Sequence, residues 1–229
     1  MYFVRSFVLT LALIYSFSVL SIAHVNAHMH DSVTDLVTGG GDEGPDINAL
    51  VDQQSALIKE LNSALYHLNT SLERMLRALG LQEAADAAHA TAEAVKAGEL
   101  TGRDEIKKVV AATKEATAAA NEKMLEGVVL DAEGKVIFAS SLPHYGFGSV
   151  KMVTTAQAAS EAAQSLQNTT DLTILSKVGS LLEVGMQGPG LISTFGSATS
   201  NIMKFAQDNG IDTEKLENEA YDEDSLADD

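Results

Sequence analysis

The chain has 229 residues, with 32 Asp and Glu against 15 Lys and Arg, a formal net charge of −17, and neither Cys nor Trp. So acidic a chain argues against a nucleic-acid partner, because phosphate binding needs a cationic surface. Without thiols there are no disulfides, thiolate metal sites or cysteine nucleophiles, and packing alone must hold the fold.

A single positive charge, Arg5, precedes 18 uncharged residues, 6–23, centred on FVLTLALIYSFSVL. A basic start, an apolar middle and small residues at the end are the parts of a secretory signal. Both SIA, ending at Ala23, and VNA, ending at Ala27, offer cleavage sites, and the cut after Ala27 is preferred. The alternative is an uncleaved membrane anchor, since 18 apolar residues just suffice to span a bilayer. The expected location is therefore periplasmic or extracellular. Cleavage after Ala27 would give a mature start His28-Met29-His30, which resembles the amino-terminal Cu(II)- and Ni(II)-binding motif. A free amine, two amides and the His30 imidazole form a square-planar nitrogen set, with His28 as an extra donor.

Residues 28–45 read as a flexible leader rich in Gly, Asp, Ser and Thr. A long helix is expected over 46–79. Leu61, Leu65, Leu68, Leu72, Met75 and Leu79 recur at steps of 4, 3, 4, 3 and 4, the spacing of a coiled-coil seam. That seam is the candidate interaction face, either burying other helices of the same chain or pairing with a second chain. Gly80 stands where a left-handed C-terminal cap belongs. The alanine-rich stretch 81–100 is expected to be helical by propensity, with His89 solvated, and Gly98 interrupts it. TGRD at 101–104 looks like a capping box with Asp in place of Glu. Ile106, Val109, Val110, Thr113, Ala116, Ala120 and Met124 then mark a third helix, closed by Gly127.

Two β-branched runs, 128–130 and 135–138, flank Asp131-Ala132-Glu133-Gly134 and predict a β-hairpin near 128–139. SLPHYGFG at 141–148 reads as an irregular connection, and its His144, Tyr145 and Phe147 form a candidate binding loop. Helix resumes over 149–167, breaks at 168–171, and continues as an apolar segment to 186. Gln187-Gly188-Pro189-Gly190 predicts a firm turn before a last helix over 191–207. The resulting small-residue helical hairpin, 172–207, invites close packing, or an apolar-ligand or membrane-interacting role. Residues 208–229 hold ten acids against one Lys and read as a disordered acidic tail.

Divided by region, the expectation is a signal peptide at 1–27, a leader at 28–45, a helical region at 46–127, the hairpin and aromatic loop at 128–148, a second helical region at 149–207 and the tail. The fold class is mainly α: a helical bundle with a long coiled-coil-like helix. No catalytic signature, phosphate loop or calcium loop occurs, and no cofactor is implied. The functional expectation is an exported, non-catalytic protein acting through protein–protein contact or self-assembly. The alternatives are the apolar-ligand or membrane module at 172–207 and copper or nickel handling at His28 and His30. Were it an enzyme, His144 and Tyr145 would be the participants. Asn69 and Asn168 head glycosylation acceptor triplets.

Overall fold

The computed structural model describes residues 47–98, 100, 102–165, 179–213 and 226, and the side chains described belong to the unit Val51–Asp229. Among the described residues the regular structure consists of five α-helices and no strand: α1 (Ile47–Ala78), α2 (Gln82–Lys96), α3 (Arg103–Leu125), α4 (Ala132–Ser165) and α5 (Gly179–Asp208).

Glycines end the first three helices. Gly80, Gly98 and Gly127 have φ of +76°, +76° and +74°, a region that costs other residues a clash between Cβ and carbonyl. After α1, Leu81 N donates to Leu76 O (2.8 Å) and Gly80 N to Arg77 O (3.0 Å), which satisfies carbonyls that the helix end would orphan. Gly210 repeats the arrangement after α5, where Ile211 N donates to Ala206 O (2.8 Å). The tail expected from 208 thus begins with a folded cap, in which Asn209 and Ile211 are buried. Residues 214–225 and 227–229 lie outside the described residues. The start of α3 differs from expectation: Gly102 is its N-cap, with no side-chain hydrogen bond.

The expected hairpin at 128–139 is a correction. Asp131 caps a helix there instead, its Oδ1 accepting from Gly134 N at 2.8 Å, three residues on. Val128 to Leu130 form the linker, tied down where Leu130 N donates to Asn209 Oδ1 (2.9 Å). The run 135–138 is helical, and Phe138 packs against Phe205 with ring centroids 5.1 Å apart. The aromatic stretch 141–148 is also helical, so the candidate binding loop is part of α4. Pro143 lies inside that helix and cannot donate to the carbonyl four residues back. Beside this gap, Arg74 Nη1 donates to Ser140 O (3.0 Å) and Ser71 Oγ to Ser141 O (2.9 Å) from α1.

The turn expected at 187–190 is likewise absent. α5 runs through Pro189, so the described part of the expected hairpin, 179–207, is one continuous helix, and 172–178 lie outside the described residues. What holds the helix together there is its fit to α4. A Cβ on Gly185 would fall 2.6 Å from Ala159 O, and one on Gly188 would fall 2.9 Å from Ala156 O. Only glycine lets the two backbones approach so closely.

Contacts fix the directions. Ser63, His67 and Ser71 of α1 meet Lys151, His144 and Ser141 of α4, so these two helices are antiparallel. Phe205 and Phe195 of α5 meet Phe138 and Tyr145, so α5 is antiparallel to α4. Arg103 of α3 bonds Glu183 near the start of α5, and Lys114 lies beside Gly190, so α3 runs with α5. Asn69 of α1 joins Thr113 of α3 and closes a four-helix ring. The shorter α2 lies antiparallel to α1, with Glu73–His89 and Tyr66–Lys96 contacts, and packs on α3. Its buried face is Ala85, Ala88, Ala92 and Val95, side chains short enough for a close fit. No described helix is long and apolar enough to cross a membrane.

Candidate functional site

The seam Leu61, Leu65, Leu68, Leu72, Met75 and Leu79 lies inside this bundle, every member at most 4% exposed. It is therefore occupied by the chain's own helices. Leu68 receives Gly148 of α4, whose Cβ position would be 2.9 Å from Leu68 N. α3 brings a matching stripe, Ile106, Val110, Thr113, Thr117, Ala120 and Met124, all buried. Its two threonines donate to Val109 O and Thr113 O, and Asn69 Nδ2 donates to Thr113 Oγ1 (2.9 Å) and Leu65 O (2.8 Å). Asn69 is buried by these bonds, so its acceptor triplet is closed to glycosylation in the fold, while Asn168 lies outside the described residues.

The polar cluster with most chemical content runs between α1 and α4. Glu60, Ser63, His67, Ser71 and Arg74 lie at steps of three and four on one face of α1, and each bonds α4. Lys151 Nζ lies 3.1 Å from Glu60 Oε2, donates to Ser63 Oγ at 3.0 Å, and sits 4.9 Å over the Phe147 ring. Phe147 meets His67 edge-on, with centroids 4.6 Å apart. His67 and His144 face each other through their Nδ1 atoms at 3.0 Å, with rings stacked at 28°. These histidines are 3% and 2% exposed.

Of the three side chains flagged at 141–148, His144 and Phe147 thus join this cluster, whereas Tyr145 turns toward α5. Its hydroxyl donates to Phe195 O (3.3 Å), and burial holds its ionisation well above the usual range, partly offset by a hydrogen bond with Thr199. A phenol so buried acts as a core tether. A second polar link joins α3 to α5. Gln187 Nε2 donates to Glu183 Oε1 (2.8 Å) and Arg103 Nε to Oε2 (2.6 Å). Gln187 first and Arg103 second hold the Glu183 carboxyl below its usual value, despite burial. On the surface, His89 is not simply solvated: its Nδ1 lies 3.0 Å from Glu73 Oε2 across the α1–α2 contact.

Among the described residues no three His, Asp or Glu side chains converge to hold a metal ion, and His28 and His30 lie outside them. The surface grooves are shallow. One, of about 280 Å³, runs between α2 and α3 and is lined mainly by Ala90, Ala94 and Ala112 with Lys108. Another, of about 550 Å³, lies over the α1–α2 turn. Large apolar side chains remain outside at the α3–α4 turn: Leu125, Val129 and Val136 are 74%, 84% and 70% exposed. Glu122, Glu126, Asp131 and Glu133 in the same stretch of chain are also exposed.

Sequence reasoning overlooked His67, because a polar residue between Leu65 and Leu68 disturbs no apolar count. Its signal was the polar periodicity 60, 63, 67, 71 and 74 beside the leucine stripe. No protein-family model, characterised protein or solved structure matches this chain.

Proposed function

We propose that the protein is exported and then works by contact with another protein, as an acidic helical scaffold without catalytic chemistry. The observation that carries this reading is the exposure of Leu125, Val129 and Val136 at the α3–α4 turn, in a stretch that also exposes Glu122, Glu126, Asp131 and Glu133, of which Glu126 pairs with Lys123. Apolar groups held in water beside a charged rim are the composition of a docking surface. The leucine seam is already covered within the chain, and among the described residues Leu125, Val129 and Val136 are the most exposed large apolar side chains. The exposed carboxylates favour a partner whose contact surface combines apolar and basic groups. Export is supported by the uncharged stretch 6–23 followed by small residues at Ala23 and Ala27.

The test pairs wild type with a Leu125→Asp, Val129→Asp variant. Both sites are exposed, so the folded state should change by only about 0.5 kcal/mol or less. The expected result is unchanged helicity, with loss of a partner recovered from the exported fraction by wild type or loss of self-association in sedimentation. An identical set of partners and an identical sedimentation profile for both proteins would sink the proposal. Retention of the precursor in the cytosol would sink its export half.

A further inference from the structure

Asn209-Gly210 is the one Asn-Gly step in the chain. Asparagine is chemically labile, and a following glycine protects it least, because no Cβ shields the glycine nitrogen from the side-chain amide before it. In the reaction that results, Gly210 N bonds to Asn209 Cγ while the Cγ–Nδ2 bond breaks. Nδ2 departs as ammonia, taking the proton that Gly210 N loses. Water then opens the cyclic imide at either of its carbonyls, which leaves aspartate or isoaspartate at that position.

The fold ties down both reacting groups. Asn209 is buried at the C-terminal cap of α5, only 7% exposed. Its Oδ1 accepts from Leu130 N of the α3–α4 linker at 2.9 Å, and its Nδ2 donates to Phe205 O at 3.1 Å and Val128 O at 3.5 Å. Gly210 N donates to Gln207 O at 3.0 Å with φ at +69°, and Ile211 N closes the cap on Ala206 O at 2.8 Å. Attack therefore requires that Gly210 N leave Gln207 and that the amide leave its three partners.

The same contacts make the product a poor replacement. A carboxylate still accepts from Leu130 N, but it cannot donate, so Phe205 O and Val128 O lose that donor. Its charge also falls at the C-terminus of α5, the negative end of the helix dipole. Isoaspartate adds a backbone carbon inside the cap and displaces the Ile211 N–Ala206 O bond as well.

We propose that Asn209-Gly210 is a self-modification site locked by the native fold. It deamidates only when the cap of α5 opens, and the product cannot rebuild the clamp on the α3–α4 linker. Helix ends open locally at free energies below that of global unfolding, so the site accumulates a record of such openings. The record is one-way, because the ammonia is lost to solvent.

The test follows conversion at Asn209 in the full chain by peptide mass spectrometry, during incubation in mildly alkaline buffer with and without unfolding urea. A peptide of residues 205–213, incubated in both solutions, sets the effect of urea on the chemistry itself. Conversion should be at least about tenfold slower in the folded protein than in the unfolded chain, because only the open fraction reacts. The N209D variant, which stands for the product, should lose about tenfold or more in folding equilibrium constant by urea unfolding at neutral pH. Equal rates for folded and unfolded chain, or no conversion at Asn209 in urea, would overturn the locked site. An N209D protein as stable as wild type would overturn the loss of the clamp. The rate comparison uses the wild-type chain, so it decides even if N209D does not fold.

Discussion

Alanine normally stabilises a helix where it replaces glycine, by about 1 kcal/mol in an interior position. α5 contains two glycines at which this gain should have opposite outcomes. At Gly196 the backbone is exposed and a Cβ would find nothing within 4 Å, so Gly196→Ala should gain about 1 kcal/mol. At Gly185 the new Cβ would fall 2.6 Å from Ala159 O and 2.7 Å from Ala163 Cβ. The carbonyl belongs to the α4 backbone and cannot rotate aside. Reaching an ordinary 3.4 Å contact requires α4 and α5 to separate locally by about 0.8 Å, and Gly188 one turn along resists the same movement. Crowding of that kind costs about 1–3 kcal/mol, so Gly185→Ala should lose up to about 2 kcal/mol after the helix gain is credited. The two variants should thus differ by about 1–3 kcal/mol. At a urea dependence of about 2 kcal/mol per molar, their unfolding midpoints should lie about 0.5–1.5 M apart, with Gly196→Ala the higher. A Gly185→Ala midpoint at or above that of Gly196→Ala would refute the close α4–α5 crossing.

Asn69→Ala should cost about 1–2 kcal/mol, and a double-mutant cycle with Thr113→Val should return a coupling of about 0.5–1.5 kcal/mol; additivity would mean the α1–α3 hydrogen bond is not formed. The depressed ionisation of Glu183 makes its charged form a folded-state asset, fully present above about pH 4.3 and lost as pH falls through the lower folded value. Thermal melts should therefore drop more steeply below about pH 4.3 for wild type than for Glu183→Gln, and equal slopes would contradict the Gln187 and Arg103 contacts. Gly80→Ala should lower the urea midpoint by an amount equivalent to about 1 kcal/mol, because φ there is +76°; an unchanged midpoint would exclude the left-handed cap.

The first three helices were legible because two local signals agreed there: an apolar period near 3.5 in α1 and α3, and glycines where the chain must turn. α4 and α5 were obscured by residues that locally argue against helix. The β-branched run 135–138 and the glycine at 134 imitate a hairpin, yet Asp131 followed by Glu133 is also a helix start. Through the supposed loop, Phe138, Leu142, Tyr145, Met152, Ala156 and Ala159 keep helical steps of 4, 3, 7, 4 and 3, all buried. Pro143 and Gly148 hid that period in α4, and Gly188 and Pro189 obscured α5 in the same way. Two of these four, Gly148 and Gly188, mark where neighbouring backbones press together, which depends on partners far along the chain and leaves no local trace. The candidate cluster was half legible for the same reason. His144 and Phe147 stood out as aromatic and ionisable, but their partner His67 is 77 residues away.

That separation bears on how the protein is made. The leucine face of α1 is completed by α4 at Gly148, so about 80 residues must be synthesised after Leu68 before that part of its cover exists. At translation speeds of about 5–20 residues per second, the nascent chain displays a partly uncovered greasy stripe for about 4–16 seconds. A stripe exposed that long invites capture by holdase chaperones, which would keep the polypeptide threadable until synthesis ends.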